Sequence, residues 1–282
     1  MPDILLIQPP IRDFYLTAKR TIPYGLACIA ATLLRDGFSV QILDALATRK
    51  TKKIALPPEM SYLGAFYPGP DISPFSLFHE FRHYGLDFDR IGEIARDSGA
   101  FLIGISSLFT AYSDEALATV RAVKKHCPRA AVVLGGHHPT EMPEDVLRNE
   151  CVDFVIRGEG EEALPRLARI LGASISQEGA SPQGADPFAN VHKKPPGITA
   201  PGLTSPCRAG SPADPGEMPP DMSAPGGHKV CGIAGFPAGI FESVPGLGFR
   251  RSDGSLFLND PPILARTPAK IPNQRLSFDS PV

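Results

Sequence analysis

Several familiar signatures are missing from this chain of 282 residues. No CxxC pair and no CxxxCxxC run occurs, so the usual local signatures of a zinc ribbon and of an S-adenosylmethionine-cleaving iron–sulfur cluster are absent. The five cysteines, Cys28, Cys127, Cys151, Cys207 and Cys231, are odd in number and widely spaced, which argues against a disulfide framework. Cys28 and Cys151 fall on apolar patterns and read as core residues. Neither GxGxxG nor GxxxxGK follows the first apolar run, which ends in Gln8-Pro9-Pro10. That argues against a dinucleotide site and a phosphate-cradling ATPase loop. No GxSxG elbow or cysteine–histidine nucleophile pair stands out. Excess charge is lacking too: the formal net charge is -2 and no long run of one sign occurs, so neither nucleic acid nor a membrane surface is an expected partner. No apolar stretch reaches transmembrane length. The N-terminus has no basic region ahead of its short apolar run, so it reads as a strand rather than a signal peptide, and the cytoplasm is the expected compartment.

What is present is a regular alternation. Short apolar runs predict strands over residues 3–7, 38–43, 101–106, 131–134 and 152–156. Helical spacing predicts helices over 24–35, 88–98, 113–126, 141–149 and 161–171. Residues 45–86 are irregular, with several aromatics and prolines, and read as an insertion or lid. Strand–helix alternation implies an α/β fold: a five-stranded parallel, Rossmann-like (flavodoxin-like) doubly wound sheet covered on both faces. Residues 1–171 then form one domain of ordinary size. Residues 172–240 hold twelve prolines and twelve glycines, with few large apolar residues, and are expected to be a disordered linker. Residues 241–282 are expected to begin with a short β-hairpin, Ser252-Asp253-Gly254 in its turn, and to end in an extended, Pro-rich tail.

The residues with chemical potential sit where predicted strands end. In an open α/β sheet that edge is where ligands bind. After the third strand come Ser106, Ser107 and Leu108, with Thr110 beyond; hydroxyls here can bond a ligand, although such residues are common in helix-entry loops. After the fourth come Gly135 and Gly136, followed by His137-His138-Pro139. Bare backbone there forms a shelf for a large flat ligand, or simply an ordinary turn. After the fifth come Gly158, Glu159, Gly160 and Glu161; acids suit a helix N-terminus without any function. Arg157 is placed to pair with one of them. His79-Glu80-Phe81-Arg82-His83 matches HExxH literally, and on a helix both imidazoles would share a face. No third-ligand pattern follows it, which argues against a zinc site. Paired histidines such as His137 and His138 more often face solvent or cap a pocket than hold a metal, and no metal ligand is assigned.

Five stretches occurring in one order, ILLIQPP (4–10), PYGLACIAATLLRDGFSVQILDA (23–45), IGISSLFTAYSDEALATVRAVKKHCP (103–128), VVLGGHHPTEMPE (132–144) and DFVIRGEGEEALPRL (153–167), together resemble the cobalamin (B12)-binding domain of class B radical SAM methyltransferases and related cyclases. The resemblance covers about residues 1–171, and VPGLGFRRSDGSLFLNDPP resembles the segment joining that domain to the radical SAM barrel. It implies a corrinoid over the C-terminal sheet edge, with its tail running down between strands. Gly135 and Gly136 would let the tail pass, Ser106, Ser107 or Thr110 would bond it, and Leu108, His137, Gly158, Glu159 and Gly160 would complete the site. Distant relatives carry DxHxxG, whose histidine ligates cobalt; the corresponding stretch here is Asp44-Ala45-Leu46-Ala47-Thr48, so the implied state is base-off cobalamin without a protein imidazole. The barrel and its CxxxCxxC do not follow within the chain, so no iron–sulfur cluster is expected on it and a radical SAM barrel protein is the expected partner. The chain then reads as a binding module first, and as an enzyme only within an assembly. Two alternatives stay open: a non-catalytic interaction or regulatory domain that kept the fold but lost cobalamin, and an unrelated flavodoxin-like enzyme using the HEFRH segment as a metal site.

Overall fold

The computed structural model describes residues 1–14, 23–66, 80–178, 236 and 239–261. In chain order, β1 (Ile4–Gln8) is followed by β2 (Ile11–Asp13), α1 (Tyr24–Arg35), β3 (Val40–Asp44) and β4 (Thr51–Lys53). Then come α2 (Leu63–Phe66), β5 (Arg82–Tyr84), α3 (Phe88–Ser98), β6 (Leu102–Ser106) and α4 (Ser113–His126). The remainder is β7 (Ala131–Gly135), α5 (His137–Glu141), α6 (Pro143–Leu147), β8 (Phe154–Ile156), α7 (Gly160–Glu178), β9 (Leu247–Arg250) and β10 (Leu256–Leu258).

The main sheet has seven strands in the order β10-β9-β8-β7-β6-β1-β3. From β3 to β8 all neighbours are parallel, and β9 and β10 join antiparallel. Buried parallel strands need apolar residues on both faces, and the runs ILLIQ, LIGIS and AVVLG meet that need. Alternate residues point to opposite sides. Leu6, Leu102, Val133 and Phe154 pack under α1 and α7, while Leu5, Ile103, Val132 and Val155 pack under α3, α4 and α6. Two apolar layers therefore hold one sheet, and the parallel strands deliver their C-terminal ends to a common edge.

The five expected strands are present within two residues of their predicted limits, but the count is corrected to seven. The segment 247–258, expected as a hairpin beyond the linker and not counted in the sheet, pairs with β8, because Phe249 and Phe241 cover Phe154 at ring-centroid distances of 6.4 and 5.2 Å. Helix α7 continues to Glu178, into the stretch expected to be linker. Residues 179–235 of that stretch and the tail beyond 261 lie outside the described residues. The helix expected over 141–149 is the shorter α6, and an additional helix, α5, precedes it; the two are separate because Pro143 lacks the N–H needed to continue the first. The irregular insertion contributes β4 and β5, which join β2 in a second sheet, β2-β5-β4, antiparallel throughout. No helix among the described residues is long and apolar enough to cross a membrane.

Candidate functional site

A cavity of about 790 Å³ opens at the C-terminal ends of β1, β6, β7 and β8. It runs down one face of the sheet, past Leu6, Gly104, Val133 and Ile156, with Leu26 and Ile29 of α1 and Leu164 of α7 opposite. Its rim carries Ser106, Ser107, Leu108, Gly135, Gly136, His137, Gly158, Glu159 and Gly160. Thus the structure gathers every residue expected to hold a ligand except Thr110, which is exposed in a 3-10 turn, Thr110–Tyr112, outside the lining.

Close approach explains the glycines. Gly136 has φ +121°, and a Cβ there would lie 2.5 Å from the Ser107 carbonyl oxygen, so only glycine lets the β6 and β7 turns touch. Gly135 differs: a Cβ on it would meet nothing within 4 Å. Its bareness therefore serves the cavity rather than the fold. Gly104, unforeseen from the sequence, lies within β6 beside Leu6 and Val133 on the ligand-side face, and a Cβ there would lie 2.8 Å from Leu6 Cδ2. A glycine inside a strand often marks such an approach. The signal was available, but it hid inside the apolar run LIGIS.

The polar groups are arranged unevenly. Ser107 is 2% exposed, and its Oγ has no hydrogen-bond partner among the described residues, although its backbone N–H donates to the Gly135 carbonyl (2.8 Å). A buried hydroxyl left unpaired is costly and asks for a partner. Thr140 also lines the cavity, and its hydroxyl joins the two glycine turns. Tyr112 lines the mouth, and its phenol donates to Asp13 Oδ2 (2.6 Å), tying the small sheet to the rim. Burial, and then the neighbouring Glu159, raises the Glu161 carboxyl above its ordinary range. Burial lowers the His138 imidazole, against a partial opposing pull from the Asp145 and Asp114 carboxylates.

The two histidines part company: His137 is exposed at the rim, whereas His138 is 6% exposed behind it, its Nδ1 without a partner among the described residues. Both belong to α5 rather than to a loop. Arg157 does not pair with the acids after β8; its guanidinium donates to the Asn259 carbonyl (3.1 Å) and its backbone N–H to Gly246 (2.8 Å). Within HEFRH, His79 lies outside the described residues, and Arg82–Tyr84 is a strand rather than a helix. His83 is buried with Nε2 3.0 Å from the Leu86 carbonyl, so the metal reading loses its helical face. Among the described residues no group of three or more His, Cys, Asp or Glu is placed to hold a metal ion.

Residues 76–168 match the B12 binding domain family. This segment is a B12-binding domain. It takes in β5 through the first turns of α7, as far as Ala168, and so carries the turns after β6, β7 and β8. The chain is 29% identical over 176 residues to cytidylyl-2-hydroxyethylphosphonate methyltransferase of Streptomyces wedmorensis, covering 62% of this chain and 29% of that protein. It is 28% identical over 192 residues to an uncharacterized methyltransferase of Pyrococcus horikoshii, covering 62% and 33%. The B12-binding domain is thus related to methyltransferases, and the chain spans about a third of the length of these curated relatives. Among solved structures, the radical S-adenosylmethionine methyltransferase TsrM of Kitasatospora setae, with cobalamin and a 4Fe-4S cluster bound, matches at 17% identity and TM-score 0.39, over 62% of this chain and 27% of that one. The cobalamin-dependent S-adenosylmethionine radical enzyme OxsB matches at 12% identity and TM-score 0.46, over 94% and 23%.

The lining suits such a cofactor. The slot is apolar, Gly104 and Gly135 leave it room for a flat group, and Ser107, whose buried hydroxyl has no partner among the described residues, stands beside it.

Proposed function

We propose that this B12-binding domain holds base-off cobalamin and presents it, for methyl transfer, to a radical SAM-type barrel supplied by further polypeptide or another chain. The observation that carries the reading is the convergence of three strand-end turns on one slot whose glycine at 135 is not required by the fold. Gly104 and Gly135 clear the slot, and Ser107 bonds what enters it. Leu108 and His137 meet the part of the ligand left at the rim, and Gly158, Glu159 and Gly160 flank it. The loop after β3 brings Asp44 and Leu46 to the cavity, where Asp44 Oδ1 accepts the Leu46 N–H (2.9 Å) and no imidazole stands between them. When bound, the corrinoid supplies a cobalt centre able to carry a methyl group; the protein supplies orientation and exclusion of water.

The test is reconstitution with hydroxocobalamin, desalting and a visible absorption spectrum. Stoichiometric cobalt with a base-off spectrum is the expected result, together with its loss in Gly135→Val. Because that valine meets open space, circular dichroism of the variant should be unchanged. A folded wild-type protein that retains no corrin would overturn the reading and leave the interaction-domain alternative.

A further inference from the structure

Beyond their strand pairing, the turns after β6, β7 and β8 are tied to one another in two different ways. The β6 and β7 turns are joined by backbone: Ser107 N–H donates to the Gly135 carbonyl (2.8 Å) and His138 N–H to the Ser107 carbonyl (3.2 Å). These bonds use no side-chain atom. The β7 and β8 turns are joined through a side chain. Thr140 Oγ1 donates to the Gly136 carbonyl (2.8 Å) and accepts the Gly158 N–H (3.0 Å). One hydroxyl thus uses its donor and an acceptor at once, and spans the two glycines that flank the slot.

The position matters because β7 and β8 have stopped pairing there. Their last register pair is Gly135 with Ile156, and beyond it the β8 backbone turns to the hairpin, Arg157 N–H donating to Gly246. Gly158 has φ +74°, so it has the freedom of a residue without a Cβ. It is also exposed.

We propose that Thr140 is a positioning residue that sets the width of the cofactor slot by fixing Gly158 against Gly136. The proposal rests on the cobalamin reading for the identity of the ligand, but the staple itself is a property of the ligand-free protein. Its loss leaves the β8 turn free to move, and the ligand must then order it on binding, which weakens binding.

The variants are Thr140→Val, which keeps the shape and removes both bonds, and Thr140→Ser, which restores them. Thr140→Ala serves as a second bond-deleting variant should the valine not fold. Two readouts are taken: hydroxocobalamin affinity by spectral titration, and hydrogen exchange of the Gly158 amide in cofactor-free protein. Two lost hydrogen bonds predict roughly tenfold weaker binding in Thr140→Val, with Thr140→Ser near wild type. The Gly158 amide should exchange faster in the valine variant and normally in the serine variant. Wild-type affinity in a valine or alanine variant whose Gly158 amide has lost protection would overturn the positioning role. Should wild type itself bind no cobalamin, the functional reading falls, and the exchange readout decides the staple alone: unchanged Gly158 protection in the variants would overturn it.

Discussion

The two ends of the parallel sheet are built on opposite principles. At the N-terminal end polar groups are matched. Lys124 and Asp153, 5% and 2% exposed, form an ion pair of 2.6 Å, and Lys124 also donates to the Ala130 carbonyl while Asp153 accepts the Val132 N–H (2.7 Å). Burial raises the Asp153 carboxyl, and Lys124 pulls it back. Nearby, Asp3 and Ser39 exchange backbone and side-chain hydrogen bonds of 2.7–2.9 Å. At the C-terminal end the chain leaves a cavity, a glycine at 135 where a side chain would fit, and a buried hydroxyl on Ser107 without a partner among the described residues. The difference teaches where stability and binding reside: the closed end holds the strands together, and the open end keeps groups in reserve for a ligand.

The largest effect should come from breaking the closed end. Lys124→Met strands a buried carboxylate, and urea unfolding should show a loss of about 3–5 kcal/mol. Corrin retention, measured where the variant remains folded, should be unchanged; a selective loss of retention would show that the two ends are not separable. Next comes Gly104→Val at the open end. It crowds Leu6 and fills the slot, so overpacking of about 1–3 kcal/mol should accompany at least tenfold weaker hydroxocobalamin binding by spectral titration. Equal binding would mean that the ligand does not enter as deep as β6.

Ser107→Ala should move the two properties in opposite directions. Removing an unsatisfied hydroxyl should raise cofactor-free stability by about 1 kcal/mol, read as a higher thermal midpoint, while weakening retention. A drop in both would show that the hydroxyl is already satisfied in the free protein. The smallest effect is on pH dependence. His138 has its imidazole lowered by burial, so the unfolded chain takes up a proton before the folded one does. Stability should therefore fall as pH drops below the ordinary histidine range, and His138→Gln should flatten that slope in urea titrations at several pH values. An unchanged slope would assign the acid sensitivity to other groups.

Much of the framework was legible because buried parallel strands write themselves as apolar runs ending in glycine or serine. Ser107, Gly135 and Gly158 could be placed on one edge from that pattern alone. The three-residue strands β2, β4 and β5 left no such trace: β4 is Thr51–Lys53, exposed throughout, and its strand character comes from pairing with β5. Gly104 was hidden by the run around it. Thr140 lay in plain view within GGHHPT, but its role depends on Gly158, eighteen residues away, meeting it across two strand ends. Arg157 was read with its sequence neighbours, whereas its partner Asn259 arrives from over a hundred residues downstream.

That downstream arrival has a practical consequence for dissecting the molecule. A fragment ending at residue 171 keeps all five parallel strands yet loses β9, which is the cover for the free edge of β8. Phe154, wholly buried here, would lose Phe241 and Phe249 and face water beside a row of unpaired backbone groups. Such an edge invites chain-to-chain pairing. The smallest well-behaved piece of this protein is therefore discontinuous in sequence, and a fragment cut where the strand–helix alternation stops should self-associate as its concentration rises.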